Sequence, residues 1–170
     1  MTRSAPEIRP ATPDDLVGVL RVLDAGLLET DADTVRDRIA DADTPVLVAD
    51  ADGRVVGAVV LGERPAWVAT AFEAAESRDG GHVDAVAVGR SRRGQGLGTA
   101  LLRAACESVE GDLTADFAAS VRPFYESLGW RVERVDAPAS SGRSRERRLV
   151  ARVNIAHTTP TPSSDGDADG

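Results

Sequence analysis

The sequence predicts an α/β (α+β) fold: a mixed, mostly antiparallel central sheet of six to seven strands flanked by helices. Three observations carry that prediction. Short β-rich apolar runs alternate with segments of helical apolar spacing along most of the chain. Two of those runs flank Asp50-Ala51-Asp52-Gly53, the pattern of an antiparallel hairpin. His82–Val88, a glycine-rich turn, a helix and Leu113–Ala118 then form a strand-helix-strand crossover, which sets two strands parallel. At 170 residues the chain is long enough for one domain with a substantial core.

Taken in order, Glu7–Arg9 is a short first strand. Thr12-Pro13-Asp14-Asp15 then offers a capping threonine, a proline suited to a first helical turn and acids suited to the helix dipole. Leu16, Val19, Leu20, Leu23 and Leu27 recur at helical spacing. Asp31–Asp41 is a weaker second helix with Val35 and Ile39 on one side. Val46–Ala49 and Val55–Leu61 are the hairpin strands, and the second is apolar enough to be central. Across 64–81, the spacing of Trp67, Ala71 and Ala74, or of Val68, Phe72 and Ala75, predicts an extra helix ended by Gly80-Gly81. After the crossover, Val121–Leu128 forms a short helix closed by Gly129, with Trp130 docking back. Arg131–Val135 and Arg147–Val153 are the last strands. Residues 1–156 form the domain, and 157–170, built of Thr, Pro, Ser, Asp and Gly, are an expected disordered tail.

Composition narrows the function classes. All 20 basic residues are arginine, and 28 acids leave a net charge of -8. A lysine-free, Asp-rich surface holds hydration and suits a halophile-like, high-salt cytoplasm; a GC-rich genome would push composition the same way. The acidic excess speaks against nonspecific nucleic-acid binding, which needs a basic field. One cysteine, Cys106, excludes an intramolecular disulfide and fits a reducing compartment. No stretch has the roughly 20 apolar residues of a membrane helix and no secretion signal precedes the first strand, so a cytoplasmic protein without membrane partners is expected. Monomer and homodimer stay open.

Chemistry concentrates between Val83 and Val109. Arg92-Arg93-Gly94-Gln95-Gly96-Leu97-Gly98-Thr99 opens directly into an amphipathic helix, an arrangement that turns unblocked backbone amides toward a phosphate. A Walker A loop needs a lysine, and the chain has none. A dinucleotide fingerprint would want glycine where Thr99 stands, and would sit in the first strand-helix unit. A cradle of the form Arg-x-x-Gly-x-Gly fits Arg93, Gly96 and Gly98. Three glycines in five residues sacrifice backbone entropy that an ordinary connection keeps.

Val86-Ala87-Val88 followed after four residues by Arg93-Gly94-Gln95-Gly96-Leu97-Gly98 resembles the acetyl-CoA motif of the Gcn5-related N-acetyltransferase (GNAT) family. Phe124-Tyr125-Glu126-Ser127-Leu128-Gly129-Trp130 is similar to that family's Phe-Tyr-Glu-x-Leu-Gly-aromatic signature, and the likeness spans about residues 7–153. The resemblance implies a sheet whose parallel pair splays around the CoA site. It implies acetyl-CoA as co-substrate without a metal, and transfer of acetyl to a primary amine of a small molecule or protein by direct attack in a ternary complex. Amides of Gly94, Gln95, Gly96, Leu97, Gly98 and Thr99 would hold the pyrophosphate, Arg92 and Arg93 would add positive charge, and main-chain groups of Val86, Ala87 and Val88 would pair with the pantetheine arm. A noncatalytic acyl-CoA sensor, or an enzyme using another acyl-CoA, is the alternative.

Such a transfer needs a neutral amine, an oxyanion donor and a proton for the thiolate. The resemblance gives the donor to a main-chain N–H near Val88. Tyr125, the chain's only tyrosine, falls on the family's general-acid position, with Phe124 expected to face the core. For the base there are three candidates, with a water chain as a further route. Strand parity puts His82, Asp84, Val86 and Val88 on one face unless a bulge intervenes, and Glu63 ends the preceding strand. Family members acting on ribosomal protein N-termini often carry an asparagine and a carboxylate where this chain has Ala118 and, approximately, Leu113, a departure from that substrate class.

Overall fold

The structure, a computed structural model, describes residues 5–26, 31–43, 45–69, 80–135 and 148–154. Its seven-stranded sheet has the order β1-β2-β3-β4-β5-β7-β6, with β1 Glu7–Pro10, β2 Val46–Ala51, β3 Arg54–Glu63, β4 Gly80–Val88, β5 Asp112–Ala118, β6 Arg131–Val135 and β7 Arg148–Asn154. Every neighbouring pair is antiparallel except β4 and β5, as the crossover requires. The β2-β3 hairpin turns at Asp52-Gly53, both with positive φ, and Asp50 Oδ1 accepts the Gly53 N–H at 2.7 Å.

Helices cover both faces. On one side α1 Leu16–Ala25 and α2 Ala32–Ala40 bury Val19, Val22, Leu23 and Val35 against Val46, Val48, Ala58, Val60, Ala85 and Ala87. On the other, α4 Leu97–Ser108 and α5 Arg122–Ser127 bury Leu97, Leu101, Leu102, Ala105 and Tyr125 against Leu47, Val59, Leu61, Val83, Leu113, Phe117 and Leu149. Each fully buried leucine of this kind contributes about 1.5–3 kcal/mol of transfer free energy. At the open end of β1, Arg9 holds both Asp15 oxygens, at 2.7 and 3.0 Å, and Asp50 at 2.8 Å, tying the edge strand to the start of α1 and to the hairpin.

Two features position the site. First, β4 and β5 pair only from Gly80–Asp112 to Val83–Ala115, and beyond that point β4 keeps β3 as its one strand partner. Second, Val60 pairs with Ala85 but Leu61 with Val83, so Asp84 is the extra residue of a β-bulge. The bulge overturns the parity expected from the sequence. Val83, Val86 and Val88 share the α4 face, whereas Ala85 and Ala87 share the α1 face. His82, one residue before Val83, therefore lies across the sheet from Val86 and Val88.

Of the extra helix expected across 64–81, the described part is α3 Ala66–Ala69; residues 70–79 lie outside the described residues, as does the expected tail. No helix among the described residues is long and apolar enough to cross a membrane.

Candidate active site

The glycine turn is built from the end of β4. Gly89 N–H bonds Val56 O at 2.8 Å, Arg90–Arg92 make a single 3-10 turn, and Gly94 and Gly96 both take positive φ, +73° and +79°. Nothing lies within 4 Å of where a Cβ would stand on either glycine, so their use is conformational and leaves the backbone uncovered. Ala100 N–H closes the first helical bond to Gly96 O at 3.0 Å. The six amides from Gly94 to Thr99 find no backbone partner among the described residues, and they gather at the positive end of a twelve-residue helix. That is a pyrophosphate-sized cluster of donors.

Arg93, expected to add positive charge to the turn, is anchored by two carbonyl oxygens. Its Nε donates to Val88 O at 3.0 Å and its Nη2 to Ala25 O at 3.2 Å, so it ties the turn to the ends of β4 and α1. The same junction is close-packed, a Cβ on Gly26 falling 3.1 Å from Ala87 Cβ.

The free edge of β4 leads into this turn. Because Gly89 bonds Val56, alternation of the antiparallel ladder makes Val88–Gly57 and Val86–Val59 the pairs without mutual hydrogen bonds. Main-chain groups of Val86 and Val88 therefore point away from β3, into the gap where β5 has parted. Arg93 takes Val88 O; the N–H of each valine and Val86 O remain as a strand edge suited to an extended amide-bearing chain.

Across the gap stands Tyr125. It is 3% exposed, stacked on Phe117 with centroids 4.2 Å apart, edge-on to Phe124 at 5.3 Å and against Trp130 at 5.3 Å. Gly129, at φ +79°, lets Trp130 N–H return to Tyr125 O at 3.2 Å, which locks α5 onto the sheet. Burial, with the Asp116 charge adding to it, holds the phenol well above its ordinary range, so it is protonated at any working pH. Phe124, expected to face the core, is half-buried: it packs against the core cluster and leans on Gly98 at the start of α4, while the tyrosine is the more buried of the pair.

The three base candidates separate on the opposite face. Asp84, at the bulge, is 32% exposed in its side chain and has Arg38 of α2 at 4.0 Å. Its carboxylate lies directly over Gly62, where a Cβ would come within 2.1 Å of Oδ2. His82 is 2% exposed and held at both ring nitrogens, by Thr114 Oγ1 and Asp116 Oδ1, each at 2.9 Å. Glu63 pairs with Gly81, three residues before the bulge, and is exposed about 10 Å along the strand from Asp84. The structure thus brings Asp84 and His82 to the parting strands and leaves Glu63 apart.

Thr114 and Asp116 were missed by sequence reasoning. The signal was present: polar residues at alternate positions of an otherwise apolar β5 share a face, and the parallel register sets Thr114 opposite His82. Among the described residues no group of His, Cys, Asp and Glu has the arrangement of a metal site.

The model of the acetyltransferase (GNAT) family matches residues 16–130. An acetyltransferase of that family from Desulfovibrio desulfuricans superposes with a TM-score of 0.68 at 23% identity, covering 89% of this chain and 99% of its own. An acetyltransferase from Salmonella typhimurium, solved with its cofactor acetyl-CoA, does so at 0.68 and 20%, covering 94% and 99%. A ribosomal-protein-alanine N-acetyltransferase from Brucella melitensis reaches 0.62 at 25%, covering 87% and 99%. No curated protein matches the sequence.

Proposed function

The chain belongs to the acetyltransferase (GNAT) family, and from that premise we propose that it is an N-acetyltransferase that moves acetyl from acetyl-CoA to a primary amine by direct attack. The observation that carries the reading is the continuity of the unpaired edge of Val86 and Val88 with the six amides of Gly94–Thr99, where Gly98 meets Phe124, the neighbour of Tyr125. The edge suits the two amides of a pantetheine arm and the helix start suits its pyrophosphate, as the acetyl-CoA-bound relative also suggests.

In the step proposed, the amine nitrogen attacks the thioester carbonyl carbon, the carbonyl oxygen takes negative charge beside a β4 amide, and the C–S bond breaks. Sulfur leaves as Tyr125 donates its O–H toward it. The amine's surplus proton passes to Asp84, directly or through water. Asp84 is favoured over His82 because its carboxylate is accessible and both His82 nitrogens are engaged. The net charge of -8 suits a cationic acceptor.

Incubating the protein with acetyl-CoA and a panel of primary amines, including a diamine, an amino acid and a peptide N-terminus, tests this. Release of free thiol dependent on one amine, with the acetylated amine found by mass, supports the reading. CoA binding by calorimetry with no transfer to any amine would replace it by an acyl-CoA sensor.

A further inference from the structure

The open edge of β4 is short, and a side chain closes its far end. Val86 and Val88 turn their main-chain groups away from β3, and β5 has parted after Val83–Ala115. Such an edge offers an added extended chain two carbonyl oxygens, Val86 O and Val88 O, and so two registers that differ by a slip of two residues. At about 3.3 Å per residue the slip carries the chain about 6.6 Å along the strand. A thioester moved that far misses any group placed to act on it. The phosphate end alone does not remove the choice, because the six amides from Gly94 to Thr99 form a cluster of donors rather than a single point.

Arg93 stands where the second register would begin. Its Nε donates to Val88 O at 3.0 Å, leaving Val86 O for an incoming amide N–H. The guanidinium is exposed, yet it is tied at a second point: Nη2 donates to Ala25 O at 3.2 Å, at the end of α1. The last turn of α1 has no basic residue and includes Asp24, so nothing within the helix offsets the negative end of its dipole. Gly26 sets the span to be bridged. A Cβ there would fall 3.1 Å from Ala87 Cβ, so the helix end packs on the back of the β4 segment whose edge faces the gap. A planar fork reaches both carbonyl oxygens, which a single ammonium does not.

We propose that Arg93 is a positioning residue that acts as a register stop: braced on α1, it closes Val88 O, so that the pantetheine arm pairs with β4 in one register and the thioester comes to rest in one place. This rests on the reading of the Val86–Val88 edge as the seat of that arm. Arg93 does not touch the reacting atoms.

Isotope-edited infrared spectroscopy of bound acetyl-CoA, labelled with carbon-13 at the thioester carbonyl, reads the register without turnover, because that stretch shifts with the hydrogen bonds the carbonyl accepts. The parent is expected to show one band. Arg93→Met, which keeps much of the length and removes the donors, should show two, while its Kd for acetyl-CoA by calorimetry stays within about threefold. Arg93→Lys retains a donor for Val88 O without the brace on Ala25 O, and its second band should be weaker than that of Arg93→Met. A single band at the parent position in Arg93→Met, with a melting curve showing a folded protein, overturns the proposal; two bands already present in the parent do so as well. A parent that binds no acetyl-CoA in the calorimeter overturns the acetyl-CoA reading and the proposal with it, which keeps the two failures apart. With an acceptor in hand, kcat of Arg93→Met should fall in proportion to the second band, about twofold where the two bands are equal.

Discussion

Gly98 and Phe124 are in contact across the two motifs singled out in the sequence: a Cβ on Gly98 would stand 3.3 Å from Phe124 Cζ. The missing side chain lets the start of α4 seat the Phe124 ring, which in turn lies edge-on to Tyr125. Gly98→Ala asks the ring to yield a few tenths of an ångström, and should weaken CoA binding by about threefold. Gly98→Val cannot be absorbed so easily and should raise Kd by about tenfold or more, about 1.4 kcal/mol, as calorimetry would show. Equal affinity in all three would mean that the pyrophosphate sits elsewhere.

Tyr125→Phe keeps the stack on Phe117 and the contact with Trp130, removing the hydroxyl alone. Stability and CoA affinity should stay within about twofold, whereas kcat should fall by about a hundredfold, the lower range for losing a positioned acid. Steady-state kinetics beside a CoA titration separates the two effects.

Asp84 gives a sharper test through its neighbour. Gly62→Ala places a methyl where the Asp84 carboxylate now rests, and the side chain must swing because the Cβ would come 2.1 Å from Oδ2. A flexible carboxylate yields more readily than backbone, so the fold should survive while the carboxylate moves. Both Gly62→Ala and Asp84→Asn should lower kcat/KM by about ten- to a hundredfold with CoA affinity unchanged. Full activity in Asp84→Asn would hand the proton to water alone.

These residues show how far the sequence was legible. The glycine turn and α5 could be read because their signals are local: positive-φ glycines, helical spacing, and Gly129 before an aromatic. The face carrying Asp84 and His82 could not, because a bulge at Asp84 adds one residue to β4 and reverses parity beyond it, and nothing local in Val83-Asp84-Ala85 announces it. Arg93 shows a second limit. Its place beside the glycines is plain in the sequence, but that its guanidinium reaches the Ala25 carbonyl oxygen depends on α1, 68 residues earlier in the chain.

The Arg9 cluster predicts a pH dependence of stability. Hydrogen bonds from Arg9 lower the Asp15 carboxyl from 3.8 to about 2 in the folded protein. A depressed folded pKa means that the unfolded chain binds the proton first, so this stabilisation is complete above about pH 4 and is lost as pH falls toward 2. Asp15→Asn should therefore melt below the parent at pH 7, and the gap should narrow between pH 4 and 2. A constant difference in Tm across that interval would show that the cluster contributes no proton linkage.

Cys106 bears on whether transfer is direct. It lies on α4 nine residues beyond Leu97, about 14 Å along the axis from the amide cluster, and lines a groove of about 440 Å³ with Leu102, Leu128, Trp130 and Val153. Burial, helped by Glu107, pushes its thiol up to about 11, leaving about one in a thousand ionised at pH 8. No other cysteine is available to carry acetyl. An acyl-cysteine route is thus opposed by distance and by protonation together, and rates measured against both substrates should give intersecting rather than parallel double-reciprocal lines. Cys106→Ala should keep kcat within about twofold and leave the thiol-reagent background unchanged. Parallel lines, or loss of activity in that variant, would require a covalent intermediate that the position of Cys106 on α4 argues against.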